Sequence, residues 1–140
     1  MAKRKLTISM LVCGRDTTIR CLDSLAPILN GMDAELILVD TGCPAELREQ
    51  LKKYTDQILQ FTWCDDFSAA RNVGIKAAHG EWFLYIDDDE WFENPEVLIR
   101  FFTSGQYKKY GCVNYIQRNF YDADFVHYDD FWASRMIKLE

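Results

Sequence analysis

No Cys-x-x-Cys pair occurs in the 140 residues, and the five cysteines, Cys13, Cys21, Cys43, Cys64 and Cys112, are odd in number and scattered. Zinc ribbons and disulfide frameworks both depend on paired spacing, so both are set aside, and free thiols of this kind fit a reducing, cytoplasmic compartment. No apolar run approaches the roughly 20 residues that span a bilayer. The basic head Lys3-Arg4-Lys5 leads into a short apolar stretch broken by Thr7 and Ser9, without a small-residue cleavage site. That start reads as a strand and not as a signal peptide. Positive charge is also scarce: 16 Lys and Arg face 22 Asp and Glu, a net charge of −6. A broad nucleic-acid-binding face is excluded on that ground. The sequence has no Gly-x-Gly-x-x-Gly and no P-loop, which weakens NAD-binding and ATP-motor readings. Its two histidines, His79 and His127, form no Ser/His/Asp set and read as a helix-end residue and a strand residue.

What is present suits one domain over residues 1–140. Apolar residues are 49% of the chain and aromatic residues 14%, enough to bury a sizeable core and to exclude disorder. "LTISMLV" (6–12) reads as a first strand. In 17–30, Leu22, Leu25 and Leu29 recur at helical spacing, and Asn30-Gly31 supplies a stop. "AELILVD" (34–40) is a continuous apolar run of the kind found in strands buried on both faces. Pro44 opens a charged helix through Tyr54, and 56–61 is a weaker strand. Residues 66–80 read as a helix with Asp66 as N-cap, Gly80 at the C-terminal cap, and Phe67, Ala70, Gly74 and Ala77 on one small-residue face. "EWFLYI" (81–86) is the strongest strand, and Asn94-Pro95 starts a helix to about residue 103. Two further strands, 111–121 and 123–139, follow with a turn between them.

Repeated strand–helix alternation predicts an α/β sandwich with a mainly parallel, Rossmann-like sheet and helices on both faces. Ligands bind such sheets outside the carboxyl ends of the strands. Cys13, Gly14, Arg15 and Asp16 follow the first strand, and Asp40, Thr41 and Gly42 the second. Asp65, Asp66 and Arg71 follow the third, and Asp87, Asp88 and Asp89 the fourth. The chemically rich residues thus fall on one edge.

"LYIDDDEWF" (84–92) runs from a buried strand into four consecutive carboxylates. Like charges about 4 Å apart repel by on the order of 4 kcal/mol at an effective dielectric of about 20. In an extended segment Asp87 and Asp89 share a face and Asp88 takes the other. Two carboxylates on one face suit Mg²⁺ or Mn²⁺, completed by waters and substrate phosphates. The competing reading is a solvated acidic turn. Asp40 suits a ribose hydroxyl or a base N–H, or else it caps its own turn. Arg71 suits a phosphate, or else pairs with Asp65, Asp66 or a carboxylate of the fourth strand.

The blocks "ISMLVCGRDTTIRCLDSL", "ELILVDTGCP", "FSAARNVGIKAAHGEWFLYIDDDEWF" and "SRMIK" resemble, in order, those of the family 2 glycosyltransferases. The Ala-Arg-Asn-x-Gly helix followed by a strand and Asp-x-Asp-Glu is the most specific part. The resemblance implies a GT-A fold and metal-dependent, inverting transfer of a sugar from a nucleotide-sugar, a UDP-sugar by expectation, to a glycan, lipid or protein acceptor. It implies that Asp89 ligates Mn²⁺ or Mg²⁺ and that Asp87 serves the metal shell or the ribose. Asp40 would contact the nucleoside, Arg71 the base or diphosphate, and Cys13 and Arg15 would lie in the loop packed on the nucleotide. Asp66 and Asp88 would complete the donor-binding set. The Cys13–Arg15 stretch departs from the family's commoner loop residues. Family members usually continue past the "SRMIK" block into an acceptor-binding part that carries the general base. The expectation is therefore a donor-binding half without its base. Self-association of the aromatic-rich end into a homo-oligomer is a further expectation. A sugar nucleotidyltransferase and an inactive donor- or metal-binding fragment are the alternatives.

Overall fold

A computed structural model of the chain describes residues 3–140; residues 1 and 2, ahead of the basic head, lie outside the described residues. The elements are β1 (Arg4–Val12), α1 (Thr18–Gly31), β2 (Ala34–Asp40), α2 (Ala45–Leu51), β3 (Ile58–Gln60), α3 (Phe67–Ala77) and β4 (Gly80–Asp87). They continue with α4 (Pro95–Thr103), a 3-10 turn (Gln106–Lys109), β5 (Cys112–Phe120) and β6 (Tyr128–Lys138). One sheet of six strands runs in the order β3-β2-β1-β4-β6-β5. β3, β2, β1 and β4 are mutually parallel, and β6 and β5 add antiparallel to that block. The chain leaves β1 towards β2 on one side and returns to β4 on the other. The strand order therefore reverses beside β1, where ligand crevices form in open α/β sheets.

Strand alternation sets the two layers. Leu6, Ile8, Met10 and Val12 of β1 point to the face that buries Leu22, Leu25 and Ile28 of α1, Leu51 of α2 and Phe102 of α4. Thr7 and Ser9 point to the opposite face, which α3 covers with Gly74 lying over Ser9 and Phe83. A methyl group on Gly74 would come within 3.1 Å of Ser9 Cβ and closer still to its hydroxyl. Overpacking of that kind costs about 1–3 kcal/mol, while replacing a helical glycine by alanine gains about 1 kcal/mol. Gly74→Ala is therefore expected to lower the thermal midpoint by a few degrees; a rise would show that Ser9 yields.

β2 is buried along its whole length, as its apolar run predicts. Its one interior acid at the amino end, Glu35, accepts from Thr7 Oγ1 at 2.6 Å, His79 N at 2.7 Å and Gln57 Nε2 at 3.0 Å, and pairs with His79 Nδ1 at 2.9 Å. Burial pushes the Glu35 carboxyl up, but these donors outweigh it and hold its pKa at about 2. His79 thus serves the sheet at the end far from the acidic turn.

Several boundaries differ from the sequence expectation. α2 stops at Leu51, and β3 keeps only Ile58–Gln60. Ala78 caps α3 and Gly80 instead opens β4, where a Cβ would sit 2.5 Å from Thr7 N of β1. Phe67 leaves the small-residue face: it is exposed and its ring meets Trp63 edge-on at 4.9 Å, so Ala70 and Gly74 carry the buried face of α3.

Candidate functional site

Asp87 ends β4, and its carbonyl accepts from Glu90 N at 3.1 Å. The chain turns at Asp88 and Asp89, so strand alternation does not reach Asp89. Asp88 points inward. It is 3% exposed and accepts from Cys13 N at 3.3 Å and Thr18 Oγ1 at 3.1 Å, with Arg15 Nε at 3.0 Å. Burial pushes the Asp88 carboxyl up, against the pull of those donors. Its own carbonyl takes Thr17 Oγ1 at 2.8 Å and the Cys21 thiol at 3.0 Å. Asp88 therefore stitches the loop after β1 and the start of α1 to the end of β4. Asp89 is the outward member, half exposed, with Arg15 Nη1 at 3.5 Å.

On the α3 side, Asp87 takes Arg71 Nη2 at 3.1 Å, and Arg135 Nη1 stands 3.8 Å away. Both guanidinium groups lie against the Tyr85 ring, at 4.7 and 4.9 Å from its centroid. Arg135 also grips Glu90 with two hydrogen bonds, 2.9 and 3.2 Å, while Glu90 Oε1 accepts from Asp87 N at 2.8 Å. Burial pushes the Glu90 carboxyl up, and the Asp87 N–H and Arg135 oppose it. Arg71 Nε is buried and has no partner, which leaves that guanidinium with an unused donor.

Asp40 closes β2 and is shut inside its own loop. It accepts from Gly42 N at 2.9 Å, Cys43 N at 2.7 Å, Arg48 Nε at 2.7 Å and Gln60 Nε2 at 3.1 Å. Burial pushes its carboxyl up; the Cys43 and Gly42 N–H groups, Arg48 and Gln60 outweigh it and hold the pKa at about 2. Asp40 and Gln60 line a cleft of about 330 Å³ with Thr41, Gly42, Phe61, Thr62 and Trp63. A second cleft of about 380 Å³, around His79 and Gly80, opens at the amino ends of the strands, away from this chemistry. Gly14 links the first two loops: it holds φ +102°, and a Cβ there would meet Pro44 Cδ at 2.7 Å.

The structure thus brings Cys13, Arg15, Asp88 and Asp89 together at the loop after β1, and Arg71 with Asp87 on the α3 side. Asp40 sits one strand further out beside the cleft. Asp66 caps α3 by accepting from Ala69 N at 3.0 Å, the role its position predicts, and is exposed. Sequence reasoning passed over Arg48, Gln60, Glu90 and Arg135. Arg135 stood in view as the arginine of "SRMIK", but its partner Glu90 lies 45 residues away. Three acids of the β5–β6 hairpin are engaged within it: Asp122 with His127, Asp129 with Tyr121, and Asp130 with Arg118.

A family model described as Glycosyl transferase family 2 matches residues 8–118, most of the chain and all three of these loops. The chain belongs to glycosyl transferase family 2. A TPR repeat-containing protein of Synechococcus elongatus is 37% identical over 83 residues, which are 59% of this chain and 20% of that protein. Among solved structures, a mannosyltransferase, PcManGT from Pyrobaculum calidifontis in complex with GDP-Man and Mn²⁺, superposes with TM-score 0.65 at 14% identity. That alignment covers 84% of this chain and 37% of the mannosyltransferase. S. aureus TarS residues 1–349 superpose with TM-score 0.56 at 17% identity, over 75% of this chain and 32% of TarS. At such identities the likeness is one of fold, and that fold is GT-A. This family 2 chain spans about a fifth of the curated relative and about a third of the solved ones. Among the described residues, no helix is long and apolar enough to cross a membrane.

Proposed function

We propose that this chain is a single domain that binds a nucleoside-diphosphate sugar at the carboxyl ends of β1, β2 and β4, with UDP as the nucleotide. It serves inverting transfer of the sugar to an acceptor hydroxyl. The observation that carries this reading is the pairing of one outward carboxylate with one guanidinium on each side of the strand-order reversal, Asp89 with Arg15 and Asp87 with Arg71. A diphosphate can replace the carboxylate partner of either arginine. The cleft beside Asp40 has the dimensions for the nucleoside and offers Gln60 and backbone groups at its wall.

Among the described residues no three acidic, histidine or cysteine side chains converge as a metal cage. A Mg²⁺-type site does not require one, because one or two carboxylates suffice when waters and phosphates complete the shell. Asp89 fits that part: it is half exposed and only loosely held by Arg15. Asp89, joined by Asp87, would hold Mn²⁺ or Mg²⁺. The cation supplies charge neutralisation of the diphosphate as its bond to the sugar breaks. The Mn²⁺ and GDP-Man bound in the similarly folded mannosyltransferase support this reading. Arg71, held against Tyr85, donates to the departing diphosphate, and Arg15 positions it over the loop after β1. The acceptor oxygen attacks the anomeric carbon from the side opposite the diphosphate as the bond to the diphosphate breaks, so the configuration inverts, and the acceptor's proton passes to a general base of the kind the family carries beyond the "SRMIK" block.

Calorimetric titration of UDP into the chain tests this. Binding is expected with Mn²⁺ and is expected to fall by more than about tenfold with EDTA or in Asp89→Asn. Equal binding in all three conditions would remove the metal from the reading. No binding in any of them would remove the donor site itself.

A further inference from the structure

We propose that the α3-side face of the β5–β6 hairpin is a platform for the acceptor, and that the acceptor presents an uncharged pyranose ring stacked on Trp132. This rests on the donor site proposed above and adds the acceptor's chemistry and place.

The hairpin joins the sheet by its base alone. β6 pairs with β4 through Lys138, Ile137 and Met136, whereas its pairing with β5 runs on to Tyr128 opposite Phe120. The outer part is a two-stranded ribbon beyond the sheet. The register sets Asn114 opposite Ser134, Ile116 opposite Trp132, Arg118 opposite Asp130 and Phe120 opposite Tyr128. Directly opposed residues share a face, so these pairs form one stripe. Val113 and Tyr115 turn to the other face and pack on the core of α1 and α4. Asn114–Ser134 and Ile116–Trp132 therefore lie on the side of α3, Tyr85 and Asp87, while the ribbon twists at its outer end, where Phe120 meets Phe125 and through it Trp91 and Arg20 of α1. α3 packs on β1 and β2, leaving Ile116 and Trp132 57% and 70% exposed.

The chemistry of the stripe selects its occupant. An exposed indole beside an aliphatic side chain is a flat apolar surface for the C–H face of a sugar ring. Around it stand Asn114, Ser134 and a closed Arg118–Asp130 fork with bonds of 2.8 and 2.9 Å, which are hydrogen-bonding groups without net charge. Arg118 also lies 3.8 Å from the Tyr128 ring centroid and fixes that aromatic in place. A membrane surface would select unpaired lysines and arginines, and the stripe has neither. The ribbon also abuts the donor site, where Arg135 Nη2 donates to Gln117 Oε1 at 3.2 Å from the opposite face. The Ser134 carbonyl accepts from Tyr85 Oη at 3.2 Å, and the Tyr85 ring carries Arg71 and Arg135 beside Asp87. Trp132 is two residues beyond Ser134 on the same face, roughly 7 Å along the strand. A ring on Trp132 thus points its neighbouring hydroxyl towards the end of β4, where the anomeric carbon would stand.

The test follows the Trp132 indole N–H by NMR in the full chain with UDP and Mn²⁺ present. The probes are cellotetraose, chitotetraose and mannotetraose. At least one is expected to shift that signal, to bind tenfold or more weakly in Trp132→Ala, and to be largely restored in Trp132→Phe. UDP affinity is expected to stay unchanged in both variants. If UDP binds while all three saccharides leave Trp132 unmoved, or if Trp132→Ala binds them as well as the wild type, the platform is wrong and the donor site stands. If a saccharide shifts Trp132 but UDP never binds, the stacking face is upheld and the donor site falls. A dimer in sedimentation that Trp132→Ala dissolves would make the face a contact between copies and overturn the proposal.

Discussion

Asp40→Asn is expected to lower the stability of the chain by about 3 kcal/mol and its thermal midpoint by about 10 °C. The carboxylate is completely enclosed and accepts four hydrogen bonds, two from backbone N–H groups and two from Arg48 and Gln60. The amide can still accept from Gly42 and Cys43, but its NH₂ then faces two donors. One buried donor is left unmatched and the Arg48 charge loses its partner. The pH dependence has a definite sign. The folded-state pKa is held at about 2, below the ordinary value of 3.8, so the contribution is complete above about pH 4. It disappears as pH falls through about 2, and it amounts to on the order of 2 kcal/mol. Thermal melts at pH 7 and pH 2.5 should therefore show the wild type and the variant drawing together in acid. A midpoint change below about 3 °C at pH 7 would mean that Asp40 is not the organiser of its loop and is free to meet a ligand.

Arg71→Ala is expected to reduce turnover of the donor sugar by about 10²- to 10³-fold, roughly 3–4 kcal/mol of transition-state stabilisation. Its guanidinium lies 4.7 Å from the Tyr85 ring centroid and 5.5 Å from that of Phe67, with one nitrogen on Asp87 and Nε unused. A fork held in this way meets an oxyanion without rearranging. Because the diphosphate gains charge as it departs, the loss should fall on kcat more than on KM. Arg71→Lys keeps the charge without the fork and should recover only part of the rate. Donor hydrolysis followed by release of nucleoside diphosphate reads this directly. A change under threefold in Arg71→Ala would leave the guanidinium with only its structural pair to Asp87.

The parts of the fold visible in the sequence were those set by local pattern. The apolar run 34–40 gave a strand buried on both faces, and Asp66 gave the cap of α3. The acids expected at strand ends, Asp40 and Asp87–Asp89, do lie at the carboxyl ends of β2 and β4. The missing parts depended on residues far apart in the chain. Alternation predicts Asp88 on the face opposite Asp87, and it lies there, on the α1 side; beyond it the chain turns, so Asp89 pairs with Arg15 from the loop after β1 while Asp87 pairs with Arg71 from α3. Asp88 looks like its neighbours in sequence. Only the arrival of Cys13, Arg15 and Thr18 from the other side of the sheet makes it a tie between loops. Arg135 and Glu90 likewise acquire meaning from β6 lying beside β4. Spacing places Phe67 on the small-residue face of α3; Trp63, four residues earlier, offers its ring a partner outside that face.

The hairpin register contains one irregularity. Val113 pairs with Met136 while Asn114 pairs with Ser134, so Arg135 is an extra residue in β6. Sheet side chains alternate with a period of two, and one surplus residue shifts the phase of everything beyond it. Counting outward from the core, Arg135 decides which surface the rest of the ribbon displays. Deleting Arg135 would leave Trp132 opposite Ile116, whereas pairing Arg135 as an ordinary rung opposite Asn114 would evert the ribbon, bringing Phe131 to the α3 side opposite Arg118 and sending Trp132 behind it, with the buried sheet untouched. Whether one residue is paired or skipped is thus a selector of outer surface that varies independently of the core beneath it.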